Sequence, residues 1–224
     1  MKKINIAIDG PSGVGKSTIS KIISDEYGYT FINSGSIYRA ISYYILEHNI
    51  NLNDDETIIN TLDKLNIIPE GNMVILNGVD ISNHVRKESV SLVASKLSQK
   101  KYIRDFVIKY IQNLVKDKSG IVMDGRDTTY RLMPNAELKI FLWAEPSVRA
   151  TRRMKQNHEL GFTSSQEEVL NEVLKRDQCD MQRSVDPLMK VEDAHEIDCT
   201  NMSIEQVVQK IMSLVEQIKE SKNE

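Results

Sequence analysis

Short apolar runs rich in β-branched residues alternate along this chain with longer stretches whose apolar positions recur every three or four residues. Ile4-Asn5-Ile6-Ala7-Ile8 is the first such run, and it stops at Asp9-Gly10, which predicts a buried strand over 4–8. Residues 16–27 follow with Ile19, Ile22 and Ile23 on one helical face. The same reading predicts strands at 29–32, 120–123, 138–142 and 194–197, and helices at 35–48, 101–117, 146–157, 166–182 and 203–220. Strand followed by helix, repeated, is the pattern of an α/β protein whose central parallel sheet is covered on both faces in three αβα layers.

Residues 50–98 break that rhythm. A helical stretch near 55–65 precedes two apolar runs, Met73-Val74-Ile75-Leu76 and Val79-Asp80-Ile81, which flank Asn77-Gly78. Asn-Gly between apolar runs is a strong hairpin signal, so the segment is expected to be a small inserted α+β domain. The core is then expected to comprise 1–49 and 99–224, ending in a charged segment from Lys219.

Composition narrows the function classes. The chain has 224 residues with 29 Lys and Arg against 32 Asp and Glu, so it lacks the basic surplus that binding along a nucleic-acid backbone requires. No apolar run approaches the roughly 20 residues that span a bilayer. Two cysteines, Cys179 and Cys199, give no disulfide framework, and the four histidines have no metal-ligand spacing. A cytoplasmic globular protein without nucleic-acid or membrane partners is expected.

The segment beyond the first strand carries the chemistry. Gly10-Pro11-Ser12-Gly13-Val14-Gly15-Lys16-Ser17 fits G-x-x-x-x-G-K-[ST] without mismatch, and Thr18 follows it into the helix. Glycines let backbone N–H groups close around phosphate oxygens, and the helix that follows points its positive end at the same place. Lys16 adds a cation for the β- and γ-phosphates, and the Ser17 hydroxyl can ligate Mg²⁺. Typical residue frequencies produce the pattern by chance in about one such chain in a hundred, and its position between a strand and a helix makes chance rarer still. Nucleoside triphosphate binding, with ATP and Mg²⁺, is expected. An Asn-Lys-x-Asp base-reading motif of GTPases is absent and the chain is short for a motor or transporter ATPase, which leaves small-molecule kinases as the best class.

Phosphoryl transfer between two anions requires positive charge on both sides of the moving group. Arg39 lies just beyond the second strand and Arg126, in Asp124-Gly125-Arg126-Asp127, beyond a later one, where loops converge in a doubly wound sheet. Arg149, Arg152 and Arg153 share one helical face, as do Arg176, Asp180 and Arg183. Between those helices, residues 157–163 have the character of a flap, so a helical lid at about 150–165 is expected to bring arginines onto phosphates. Asp124 could hold a water on Mg²⁺, or equally cap its turn or orient Arg126.

Together these motifs resemble the bacterial cytidylate kinases, which are nucleoside monophosphate kinases. The resemblance is carried by the phosphate loop with Asp9, by Asn33-Ser34-Gly35-Ser36-Ile37-Tyr38-Arg39, Ala94-Ser95 and Arg104, and by Asp124-Gly125-Arg126-Asp127 and Lys139-Ile140-Phe141-Leu142. Arg176-Asp177, Asp180, Arg183 and Pro187-Leu188 complete it, over about residues 4–215. It implies an ATP-dependent phosphorylation of CMP and dCMP in pyrimidine nucleotide metabolism, by a monomer with an inserted monophosphate-binding domain. It implies that Ser95, Arg104 and Asp127 read the cytosine edge and that Arg39, Arg126 and Arg183 hold the acceptor phosphate. Arg176 and Asp180 would meet the sugar, Ser34 would line the CMP site, and Lys16, Arg126, Arg153 and Arg183 would be catalytic. Asp and Ser can accept from the cytosine amino group, which a uracil carbonyl cannot supply.

Two positions depart from the family pattern. After Asp127 the family continues with an apolar residue, Gly and Thr, whereas Thr128-Thr129-Tyr130 stands here, removing a permissive backbone position; and Cys179 stands where the family has Arg. The alternatives are a kinase on the same scaffold acting on UMP or a small metabolite, and a non-catalytic nucleotide-binding module.

Overall fold

The structure is a computed structural model that describes residues 3–71, 73–159 and 165–221. The chain divides into two compact units, one formed by 1–29 with 119–224 and the other by 30–118.

In the first unit, β1 (Ile6–Asp9) is buried along its whole length, its apolar Ile6-Ala7-Ile8 followed by the buried carboxylate of Asp9. It runs parallel between β6 (Ile121–Gly125) and β7 (Leu138–Trp143), with Ile8 opposite Asp124 on one side and Ile140 on the other. β8 (His195–Asp198) adds to the far side of β7, giving the order β6-β1-β7-β8. Ile6, Ile8, Ile140 and Leu142 pack with Ile19 and Ile23 of α1 (Lys16–Tyr27) and with Val207, Ile211 and Val215 of α8 (Ile204–Ser221). Burying each such side chain contributes about 1.5–3 kcal/mol against chain entropy. Helices α6 (Pro146–Glu159) and α7 (Gln166–Gln182) share a smaller core of Ala150, Val169 and Val173. A reciprocal capping box starts α7: the Ser165 hydroxyl accepts from the Glu168 N–H, and the Glu168 carboxylate accepts from the Ser165 N–H.

The second unit holds β2 (Thr30–Asn33), α2 (Ser34–Glu47), α3 (Asp55–Leu62), α4 (Glu88–Leu97) and α5 (Lys101–Val115), with an antiparallel sheet of β3 (Ile67–Glu70), β4 (Met73–Leu76) and β5 (Val79–Asp80). Asn77 and Gly78 both take positive φ, 50° and 84°, as the hairpin signal requires. The Tyr110 hydroxyl accepts from the Ile67 N–H and donates to the Ile67 carbonyl, both at 2.8 Å, tying β3 to α5.

Four described elements go beyond the sequence expectations: β3, a 3-10 turn at His84–Arg86, α4 and a π-turn at Thr128–Leu132. The strand predicted at 120–123 also runs on, so that Asp124 and Gly125 belong to β6 itself. Residues 160–164, the centre of the expected flap, lie outside the described residues.

Candidate functional site

Gly10 leads the chain out of β1 so close to β7 that a Cβ there would fall against the Leu142 carbonyl, and Gly15 turns into α1 at φ 102°, a conformation that strains any other residue. Lys16, the first residue of α1, folds back under the loop, its Nζ donating to the carbonyls of Gly10 at 2.7 Å and Pro11 at 2.8 Å. Burial, and after it the charge of Arg126, depresses the Lys16 ammonium from 10.5 to about 7, against the opposing pull of Asp124, Asp9 and Asp180. Val14 is buried beneath the loop, while Ser17 and Thr18 are exposed on the first turn of α1.

The Ser17 hydroxyl donates to Asp124 Oδ2 at 2.6 Å. One hydroxyl and one carboxylate form a hard-oxygen pair that fits Mg²⁺, an ion that keeps most of its waters and takes its other ligands from phosphates. Beyond β6, Arg126 donates through Nε to Asp180 Oδ2 at 2.7 Å. Burial disfavours the Arg126 charge, but Asp180, then Asp124 and Asp177, hold its pKa above the ordinary arginine value. Asp180 also lies 3.5 Å from Arg176 Nε, and these two guanidinium groups keep its carboxyl below the usual range despite burial. Arg176, by contrast, is pushed down by burial and by the neighbouring Arg126 and Arg153 charges, with Asp180 opposing. Arg183, just past the end of α7, reaches Asp127 Oδ1 at 3.4 Å and donates to the Asp186 carbonyl at 2.6 Å.

Asp9, at the end of β1, closes the far side of this cluster. Its Oδ1 accepts from the Thr128 N–H at 2.9 Å, and its Oδ2 accepts from the Thr129 N–H at 2.8 Å and the Thr129 hydroxyl at 2.7 Å. Thr129 has no positive φ, so the backbone here does not require the glycine that the family pattern carries. Cys179 is half-buried between Arg176 and Asp180, and both cysteines are free.

The three arginines predicted to share a face of α6 separate into different environments. Arg149 is fully buried in an ion pair with Asp177 at 2.6 Å, and Arg152 donates to the Cys199 carbonyl at 2.8 Å; Arg153 alone is exposed. The sequence reading passed over Asp9 as a ligand of the turn and Asp177 as a partner of Arg149. The Arg176-Asp177 dipeptide was visible, but nothing local showed that its second member faces another helix.

In the other unit, Asn33 caps α2 by accepting from the Ser36 N–H at 3.0 Å, which sets Ser34 and Arg39 on the first turns of that helix. Arg104 on α5 is buried to 1% exposure, donates to the Ser98 carbonyl and lies 5.9 Å from the centre of the Tyr38 ring. Ser95 is half-buried on α4.

A parallel α/β sheet whose first strand runs through a phosphate loop into α1, with arginines and carboxylates gathered beyond β6, defines a P-loop phosphotransferase of the small-kinase class. Within that class, the family model described as "Cytidylate kinase" matches residues 6–217, and the chain belongs to this family. Relatives named cytidylate kinase include one from Mycoplasmopsis synoviae, 50% identical over 214 residues that cover 95% of this chain and 98% of the relative. Another, from Bacillus velezensis, is 42% identical over 220 residues, covering 96% and 98%. In fold the chain also resembles an uncharacterized protein from Eubacterium ventriosum, with a TM-score of 0.53 at 12% identity over 96% of this chain and 99% of the other.

Proposed function

We propose that this protein transfers the γ-phosphoryl group of ATP in line to a phosphate oxygen of CMP or dCMP, giving ADP and CDP or dCDP. The observation that carries the reading is family membership over residues 6–217 coupled to an intact phosphate loop with Lys16 beneath it. The loop from Gly10 to Thr18 holds the triphosphate of ATP through its N–H groups, and Lys16 leaves its loop carbonyls to meet the β- and γ-oxygens. Ser17 and Asp124 hold Mg²⁺, which when bound neutralises charge on the β- and γ-phosphates.

On the acceptor side, Arg126 and Arg183 hold the CMP phosphate, Arg176 and Asp180 meet the sugar, and Asp127 accepts from the cytosine amino group. Ser34, Arg39, Ser95 and Arg104 are assigned CMP contacts on the family resemblance, and residues 50–98 are assigned as the inserted monophosphate-binding domain. Arg153, on α6, adds a further cation for the transferred phosphoryl group. No general base is needed, because the attacking oxygen is already anionic. The enzyme acts as a monomer in the cytoplasm. Among the described residues no helix is long and apolar enough to cross a membrane.

The test is ADP release from Mg-ATP with CMP, dCMP, UMP, AMP and GMP offered separately. Turnover with CMP and dCMP, abolished in Lys16→Ala and Asp127→Ala, is expected. Turnover confined to another monophosphate would overturn the cytosine-reading roles of Ser95, Arg104 and Asp127, and nucleotide binding without turnover on any acceptor would overturn the kinase reading.

A further inference from the structure

Ser12 is held at both of its backbone groups by side chains from the two helices that flank residues 160–164. Its N–H donates to Asp177 Oδ1 at 3.3 Å, and its carbonyl accepts from Arg149 Nη1 at 2.9 Å. Arg149 and Asp177 close the ring with an ion pair of 2.6 Å, and Arg149 Nε is anchored on the Ala144 carbonyl at 2.8 Å. Both side chains are sequestered, at 0% and 9% exposure, so Arg149 is not a mobile arginine for a nucleotide phosphate.

In a trans peptide the N–H and C=O point in opposite directions, so fixing one end of the unit aims the other. The Pro11–Ser12 peptide has its N–H on Asp177 and, at the opposite end, its carbonyl on Lys16 Nζ at 2.8 Å. The Ser12–Gly13 peptide has its carbonyl on Arg149, which turns the Gly13 N–H away from that side chain. Were the Ser12–Gly13 unit to flip, its carbonyl oxygen would take the side now held by the Gly13 N–H and repel an anion there.

We infer that Arg149 and Asp177 are positioning residues for triphosphate binding: together they hold both backbone groups of Ser12, and so fix the Ser12–Gly13 peptide plane with its carbonyl on Arg149 and its Gly13 N–H left for the anion. The inference rests on the reading of this loop as an ATP site, and it predicts a defect confined to the ATP side.

The experiment compares wild type with Asp177→Ala, Asp177→Asn and Arg149→Lys. It measures KM for ATP and for CMP, calorimetric binding of ADP, and hydrogen exchange of the Ser12 amide. Asp177→Ala should raise the ATP KM and the ADP Kd roughly tenfold or more, the loss typical of a hydrogen bond to a charged group, and should leave the CMP KM within about twofold. Asp177→Asn keeps an acceptor for the Ser12 N–H and should recover most of that loss. Ser12 exchange should quicken in Asp177→Ala and stay slow in Asp177→Asn. A folded Asp177→Ala with an unchanged ATP KM, or one whose ATP and CMP KM values rise together, would overturn the inference. If Asp177→Ala does not fold, Arg149→Lys carries the same comparison, since lysine cannot serve Ala144, Ser12 and Asp177 together. Wild type that fails to bind ADP would instead overturn the nucleotide-site reading, and the Ser12 exchange would still report on the clamp.

Discussion

Lys16 shows how a single side chain can be held in a costly state that its ligand relieves. Its ammonium is buried with a pKa near 7, against 10.5 in an unfolded chain. Between those values the unfolded state binds more protons than the folded one, so stability rises with pH across the window, and the penalty is greatest at or below pH 7. Lys16→Met should therefore melt above wild type at pH 7, with the advantage narrowing as the pH approaches 10; a constant gap would mean that Lys16 is not depressed. The same residue predicts proton uptake on binding. A triphosphate brought against Lys16 favours the charged form, so at pH 8 ATP should bind with uptake of a proton that Lys16→Met does not take up. Calorimetry in two buffers of different ionisation enthalpy measures it.

At the scale of elements, the π-turn at Thr128–Leu132 depends on a residue of β1. Asp9 collects three donors from Thr128 and Thr129 while fully buried. Asp9→Ala strands all three and should destabilise the protein by about 3–5 kcal/mol in urea unfolding. Thr129→Val removes one bond to a carboxylate and should cost about 1.5–3 kcal/mol. A negligible cost for Thr129→Val would mean that the hydroxyl bond is not formed. This turn also explains where reading by pattern stopped. The central strands, their helices and the Asn77-Gly78 hairpin were legible because each is specified by its own periodicity or turn residues. The π-turn was not, since its organising carboxylate lies 119 residues away. β3 was hidden by Pro69, which an edge strand tolerates but a pattern search demotes. Helix α4 buries Val90, Val93, Ala94 and Leu97 at helical spacing, but it follows Lys87 without a side-chain cap, so no start signal marked it.

For the whole molecule, the candidate site is where like charges are gathered close together. Burial, and after it the charge of Arg126, depresses Lys16, while burial with Arg126 and Arg153 depresses Arg176, although Asp124 and Asp180 offset part of the repulsion. The phosphate loop and the arginine positions were legible from motif and strand-end placement, whereas the division of Arg149, Arg152 and Arg153 into two anchored groups and one exposed group depended on contacts that only packing reveals. A bound polyphosphate adds negative charge where these cations repel, so the folded state should gain stability from phosphate more than from the nucleoside. At 100 times its Kd a ligand contributes about 2.7 kcal/mol. For a protein of this size that corresponds to a rise in Tm of roughly 5–10 °C. Thermal unfolding with ATP, pyrophosphate or adenosine separates the contributions. ATP should give the full shift, pyrophosphate a substantial part of it and adenosine almost none, with the ATP shift much reduced in Lys16→Ala. An adenosine shift equal to that of ATP would mean that the base, and not the buried cations around the loop, dominates recognition.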